Sequence, residues 1–168
     1  MNEKKFSAIY KVRKLNVDDV NQIYDLCRQN SLYYEYCQPM VSRESIKEDL
    51  VALPPNISIN QKYFVGFYDS EKLIAVMDVI DGYPEKAIAF VGFFMTDISV
   101  QNKGLGSAII SDFVEYLRTE KYESVRLAWV KGNPQSEHFW TKNGFRFLKE
   151  TSSSAADCVI LAERVIEK

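Results

Sequence analysis

The chain reads as a mixed α/β fold (α+β in its segregation) with the element order β-αα-βββ-α-β-α-ββ, and three observations lead there. Two apolar, strand-like runs, residues 88–95 and 125–130, are each followed by a polar turn and a helical pattern. Two further strand-like runs, 63–68 and 73–80, precede them at hairpin spacing. Between strand 88–95 and its helix lies Gln101-Asn102-Lys103-Gly104-Leu105-Gly106-Ser107, a glycine-containing turn of the kind that starts a helix. Strands partly in sequence and partly separated by helices imply a mixed sheet flanked by helices.

Taken in order, residues 6–14 alternate enough to form a first strand. Asn16 can cap the next helix, where Val20, Ile23, Tyr24 and Cys27 recur at helical spacing. The polar-aromatic stretch Ser31-Leu32-Tyr33-Tyr34-Glu35-Tyr36 breaks that periodicity. Ser42 can cap a second helix that turns Ile46, Leu50 and Leu53 inward, and Pro54-Pro55 ends it. After the three strands, the helix behind the glycine turn puts Ile109, Ile110, Phe113 and Leu117 on one face. Beyond strand 125–130, Asn133 can cap a short helix that Pro134 opens and Gly144 closes in the left-handed conformation. Strands 145–149 and 159–165 finish the order.

At 168 residues the expectation is a single domain over residues 1–168, long enough to bury a substantial core. The 46% hydrophobic and 26% charged content reads as soluble and globular. A net charge of −2, with no dense Lys/Arg block, argues against nucleic acid as a partner. No run approaches membrane-spanning length, and Met1-Asn2-Glu3-Lys4-Lys5 leads into a strand pattern rather than an apolar signal core. No membrane partner and a cytoplasmic location are therefore expected. Cys27, Cys37 and Cys158 are far apart with no C-x-x-C, and Cys27, on an apolar helical face, reads as core. Metal-ligand spacing is absent and no metal is expected; His138, the single histidine, reads as partly exposed and structural.

The turn at 101–107 carries the chemistry. A glycine turn between a strand and a helix gathers backbone N–H groups at the helix start, where they have no intrahelical acceptor. The helix dipole adds partial positive charge at the same point, which suits a phosphate or pyrophosphate. Rival phosphate motifs fail on residues. A Walker A loop ends Gly-Lys-Ser/Thr, whereas Lys103 precedes its Gly; a dinucleotide fingerprint needs a small residue where Ile109 stands. The second informative segment is Asn133-Pro134-Gln135-Ser136-Glu137-His138-Phe139-Trp140-Thr141-Lys142-Asn143-Gly144-Phe145.

In register, these two segments resemble the GNAT superfamily of acyl-CoA N-acyltransferases. Gln101-x-x-Gly104-x-Gly106 matches the family's [RQ]-x-x-G-x-[GA] loop. Asn133, Phe139-Trp140 and Gly144-Phe145 follow in the family's order and spacing. The resemblance covers roughly residues 63–145; before them it rests on element order alone. It implies a GNAT-like splayed central sheet and acetyl-CoA as cosubstrate. Phe94 and Thr96 would then hold the pantetheine arm through their backbones. Gln101, Asn102, Lys103, Gly104, Leu105, Gly106 and Ser107 would form the pyrophosphate turn. Asn133 would reach the pantetheine or the acceptor-side water, and Trp140 would pack against the thiol region.

The activity implied is N-acetyl transfer from acetyl-CoA to a primary amine, expected to be a small molecule, by direct attack in a ternary complex. The alternative is a non-catalytic acyl-CoA-binding or regulatory module on the same fold. One departure motivates it: Trp140 stands where the family often has a Tyr acid, and an indole N–H is a donor without useful acidity. Strand 88–95 also carries no carboxylate to act as base. Asp78, Asp81 and Glu35 are base candidates by proximity to the acceptor side, though each reads more simply as a solvated surface carboxylate, while Asp97 reads as a turn former; no catalytic residue is assigned. The acceptor site is expected from residues 31–37 and the loop 81–85, where Tyr33, Tyr34, Tyr36 and Tyr83 offer aromatic surface and Glu35 with Asp81 favours a cationic amine. Monomer and homodimer both remain open.

Overall fold

The computed structural model of the chain describes residues 1–152 and 158–167. Its strands are β1 (Lys11–Lys14), β2 (Lys62–Asp69), β3 (Lys72–Asp81), β4 (Ile88–Thr96), β5 (Ser124–Val130), β6 (Arg146–Thr151) and β7 (Val159–Val165). They form one seven-stranded sheet in the order β1-β2-β3-β4-β5-β7-β6. The helices are α1 (Val20–Cys27), α2 (Ser31–Tyr36), α3 (Arg43–Asp49), α4 (Leu105–Thr119) and α5 (Pro134–Lys142). This is the mixed α/β sheet with flanking helices that the sequence predicts. Among the described strands only β4 and β5 run parallel. A parallel pair needs a long crossover, and α4 supplies it.

Two apolar layers hold the sheet between its helices. On one face Ile109, Ile110, Phe113 and Leu117 of α4 pack with Phe6 against Val65, Phe67 and Met77 of the central strands. Phe113 meets Phe6 edge-on at 4.9 Å between ring centroids. On the other face Ile23 of α1 and Ile46 of α3 cover Phe64, Val76 and Met95. Cys27 is buried in this second layer, as its helical spacing predicts, and desolvation pushes its thiol up to about 12.

Three local expectations are corrected. The first strand begins at Lys11, not at residue 6: Asn2 caps a 3-10 turn over Glu3–Lys5, and Ser7 Oγ accepts the N–H groups of Ile9 and Tyr10. Those side-chain bonds compete with a ladder, so Phe6 enters the core from a turn. The stretch 31–36 forms the short helix α2 rather than breaking the pattern, because Tyr34 packs into the core on α1 and α3. Leu53 is exposed. Helix α3 ends at Asp49, and Pro54 disfavours helical backbone at the residue before it.

Candidate active site

The site begins where two strands part. Pairing between β4 and β5 runs only from Ile88↔Ser124 to Val91↔Leu127, and β4 then continues from Gly92 to Thr96 without a partner on that side among the described residues. Its other edge stays paired with β3, where Asp97 N–H donates to the Ile74 carbonyl at 2.8 Å and Thr96 and Phe94 lie opposite Ala75 and Met77. Bonded and non-bonded pairs alternate along an antiparallel ladder. The backbone groups of Phe94 and Thr96 therefore point away from β3 and into the gap. The Thr96 carbonyl already accepts from Gln101 Nε2 at 3.1 Å and Asn30 Nδ2 at 3.3 Å.

At the end of β4 the chain turns sharply. Asp97 Oδ1 accepts the Ser99 N–H at 2.8 Å and caps a 3-10 turn, the turn-forming role its sequence position predicts. Asn102 and Gly104 then adopt left-handed backbone, at φ 59 and φ 81. A Cβ at Gly104 would meet no atom within 4 Å, so the demand for glycine there is conformational rather than steric. Among the described residues, the N–H groups from Asn102 to Ser107 have no acceptor; the first bond of α4 runs from Ala108 N–H to the Gly104 carbonyl.

A cavity of about 680 Å³ joins the gap to this turn. Of the residues expected to hold a cofactor, Phe94, Thr96, Gln101, Asn102, Gly104, Gly106, Ser107 and Trp140 line it. Lys103, Leu105 and Asn133 do not. Lys103 Nζ donates to the Ser99 carbonyl at 2.8 Å, Leu105 packs against the core, and Asn133 is 1% exposed with its Oδ1 accepting the Ser136 N–H as the cap of α5. Gln101 folds inward, its Nε2 also donating to Asn30 Oδ1 at 2.5 Å, so it braces the turn. Phe94 stacks on Phe139 at 5.8 Å and lies 5.9 Å from Trp140, making an aromatic wall. Gly106 lets α4 approach that wall, where a Cβ would come 3.2 Å from the Phe139 ring.

These residues fit coenzyme A. Free N–H groups at a helix start suit its pyrophosphate, and free backbone edges in the gap suit its amide-bearing arm. Two buried donors beside the gap, Asn133 Nδ2 and Trp129 Nε1, have no partner among the described residues. Among the described residues no Asp or Glu lines the cavity, and the basic side chains in its lining are His138 and Lys142 on α5. His138 is exposed on this wall.

The acceptor end departs more from expectation. Tyr33 and Cys37 line the cavity, and burial raises the Tyr33 hydroxyl. Tyr34 faces the core instead, and Glu35 and Tyr36 stay outside the cavity lining. Asp81 is occupied elsewhere: it accepts the Tyr122 hydroxyl at 2.5 Å and pairs with the Met1 amino group at 3.3 Å. Tyr83 stands edge-on to Phe90 at 5.5 Å and does not itself line the cavity. Asp78 is largely buried and ion-paired with Lys62 at 2.8 Å. Sequence reasoning missed Asn30, Lys62 and Gly92. Only Gly92 left a signal, as a glycine inside an apolar strand.

A model of the acetyltransferase (GNAT) family matches residues 20–145, and the chain belongs to that family. Solved structures share the fold. An acetyltransferase from Thermus thermophilus superposes with a TM-score of 0.78 at 16% identity, covering 93% of this chain and 96% of the other. A PaiA N-acetyltransferase from Thermoplasma acidophilum, solved in complex with coenzyme A, gives 0.67 at 15% identity over 93% and 98%. A chimeric spermidine N-acetyltransferase from Vibrio cholerae and hSSAT gives 0.69 at 19% identity over 94% and 96%. No curated protein matched the chain. No helix among the described residues is long and apolar enough to cross a membrane.

Proposed function

We propose that this chain is an acetyl-CoA-dependent N-acetyltransferase that moves the acetyl group to a primary amine on a small molecule, by direct attack within a ternary complex. The observation that carries the reading is the continuous path from the unpaired β4 edge at Phe94 and Thr96 to the free N–H groups between Asn102 and Ser107. Acetyl-CoA, when bound, supplies the activated thioester. The residues proposed to hold it are Phe94, Thr96, Gln101, Asn102, Lys103, Gly104, Leu105, Gly106, Ser107, Asn133 and Trp140. They divide between direct contact and support: Gln101, Leu105 and Asn133 fix the turn and α5 from behind, and Lys103 adds field rather than contact.

In this arrangement a backbone N–H at Phe94 or Thr96 polarises the reacting carbonyl and stabilises its oxyanion. Tyr33, Phe93 and Trp140, all in the cavity lining, shield the thioester from bulk solvent. Trp140 is 8% exposed and packs on Phe94, Phe139 and Phe145, so it shapes the thiol region and moves no proton. A passive acyl-CoA-binding module is the second reading. It is favoured by the absence of any carboxylate from the cavity lining among the described residues and by Trp140 in place of an acid. Isothermal titration calorimetry with acetyl-CoA, coenzyme A and NAD tests the shared step: binding of the first two and not NAD is expected, and no binding refutes both readings. Thiol release across an amine panel separates them, because turnover with any amine excludes the passive module.

A further inference from the structure

Gly92 is exposed although it lies in β4, the middle strand of the sheet. The β3–β4 register slips beside it. Asp78 pairs with Phe93 and Val79 with Val91, which leaves Gly92 as the extra residue of a bulge. A Cβ on Gly92 would stand 3.1 Å from Asp78 Oδ2. Gly92 lines the cavity, and with no side chain there the Asp78 carboxylate lies directly behind the lining, its side chain 14% exposed.

Around that carboxylate, one cation is set against burial and a like charge. Lys62 Nζ reaches Oδ2 at 2.8 Å from β2, and Asp49 on α3 opposes it. Phe64 of β2 and Phe93 of β4, both in register with Asp78, are apolar. Oδ1 is buried with no donor among the described residues. A pair serving only the core would satisfy both oxygens. Here one oxygen is anchored and the group as a whole is left ready to accept a proton.

Building on the proposed acetyl transfer, we propose that Asp78 takes the proton of the acceptor ammonium, through a water in the opening at Gly92. The ammonium N–H breaks, its proton passes to water, and the water's own proton passes to the carboxylate. The freed amine attacks the thioester carbon, forming the C–N bond. Collapse breaks the C–S bond, and the second nitrogen proton goes to the departing thiolate sulfur. Asp78 then returns its proton to solvent. Burial pushes this carboxyl up to about 6, where it is free at neutral pH and still an effective base.

The test follows the Asp78 carboxyl by 13C NMR in the full chain, free and saturated with coenzyme A, with Asp78→Asn giving the assignment. Filling the gap desolvates the carboxyl, so its titration midpoint is expected to rise on saturation. An unmoved midpoint, with calorimetry showing coenzyme A bound, overturns the proposal; no binding refutes the proposed function instead. In the second arm, thiol release is measured against pH with spermidine, lysine, ethanolamine, phenethylamine and an alanine-starting peptide. The acidic limb of kcat/KM should track the NMR midpoint and move up with it in Lys62→Met. Asp78→Asn should lower kcat roughly 100-fold. Should that variant not fold, Gly92→Ala carries the test, with kcat reduced and coenzyme A affinity kept within about threefold. An acidic limb that stays in place in Lys62→Met, or full kcat in Gly92→Ala, overturns the assignment.

Discussion

At the turn end of the β4–β5 gap the cavity meets backbone N–H groups, Asn102 to Ser107; at the other end it meets side chains, Tyr33 of α2, Cys37 just after it and Phe93 of β4, with Asp78 behind Gly92. The turn end is made within a few consecutive residues, by two left-handed positions and a helix start. The acceptor end exists only once α2, β3 and β4 have come together. A site made of local backbone tolerates side-chain change except where conformation forbids it. A site made of tertiary contacts depends on partners far apart in sequence, such as Lys62 and Asp78.

The largest expected effect therefore lies at the acceptor end. Lys62 is 2% exposed in its side chain, and its removal leaves the Asp78 carboxylate buried without its cation. Lys62→Met should cost about 3 kcal/mol at pH 8, the scale of a broken buried pair. The sign of the pH dependence follows from the raised carboxyl. The folded state of the wild type holds the proton up to about pH 6, above the unfolded value, so stability falls as pH rises through that window. Losing Lys62 extends the window upward. The deficit should be smaller at pH 5 than at pH 8, and equal melting-temperature losses at both would show that Asp78 does not titrate there.

Next comes the turn end, where the comparison predicts a different signature. Gly104→Val forces a branched residue to φ 81, a strain of about 1–3 kcal/mol, without meeting any protein atom. Acetyl-CoA affinity should fall at least about tenfold for a similar strain on the bound geometry, since 1.4 kcal/mol is one decade. Calorimetry beside thermal melting checks it. Unchanged affinity in a folded variant would mean that the turn does not hold the ligand.

The same contrast explains what could be read from the chain. The glycine turn, α4 and the cap-and-proline start of α5 were legible because each is a local pattern: Ile109, Phe113 and Leu117 on one face, Asn133 followed by Pro134. The boundaries of β1 and α3 were less so, because Ser7 hydrogen bonds and a proline-constrained Leu53 override periodicity. Glu35 and Asp81 misled because charge says nothing of partners. The Asp81 carboxylate is taken up by Tyr122, forty-one positions away in sequence. The bulge at Gly92 depends on the β3 register, and only the glycine itself hinted at it.

A smaller effect tests the support behind the wall. Asn133→Ala removes the cap of α5 and should cost about 1 kcal/mol, read as a lower melting temperature. It also deletes the unpartnered Nδ2, which offsets part of that loss. If Nδ2 meets the ligand instead, acetyl-CoA affinity should drop by more than stability does.

The smallest expected effect asks which cation the ligand feels. Lys103 sits in the glycine turn, yet its Nζ is held by the Ser99 carbonyl and it does not line the cavity. Lys142 lies on the opposite wall, in the last turn of α5, exposed and with no ion pair among the described residues. An exposed cation acts on a polyphosphate mainly through a screened field, with a Debye length of about 8 Å at physiological salt. Lys142→Gln should therefore weaken coenzyme A binding a few-fold at low salt and less at 0.5 M, whereas Lys103→Gln should stay within about twofold at both. The reverse order, measured by calorimetry at two salt concentrations, would mean that Lys103 leaves Ser99 for the ligand, and that the turn works through a side chain as well as its backbone.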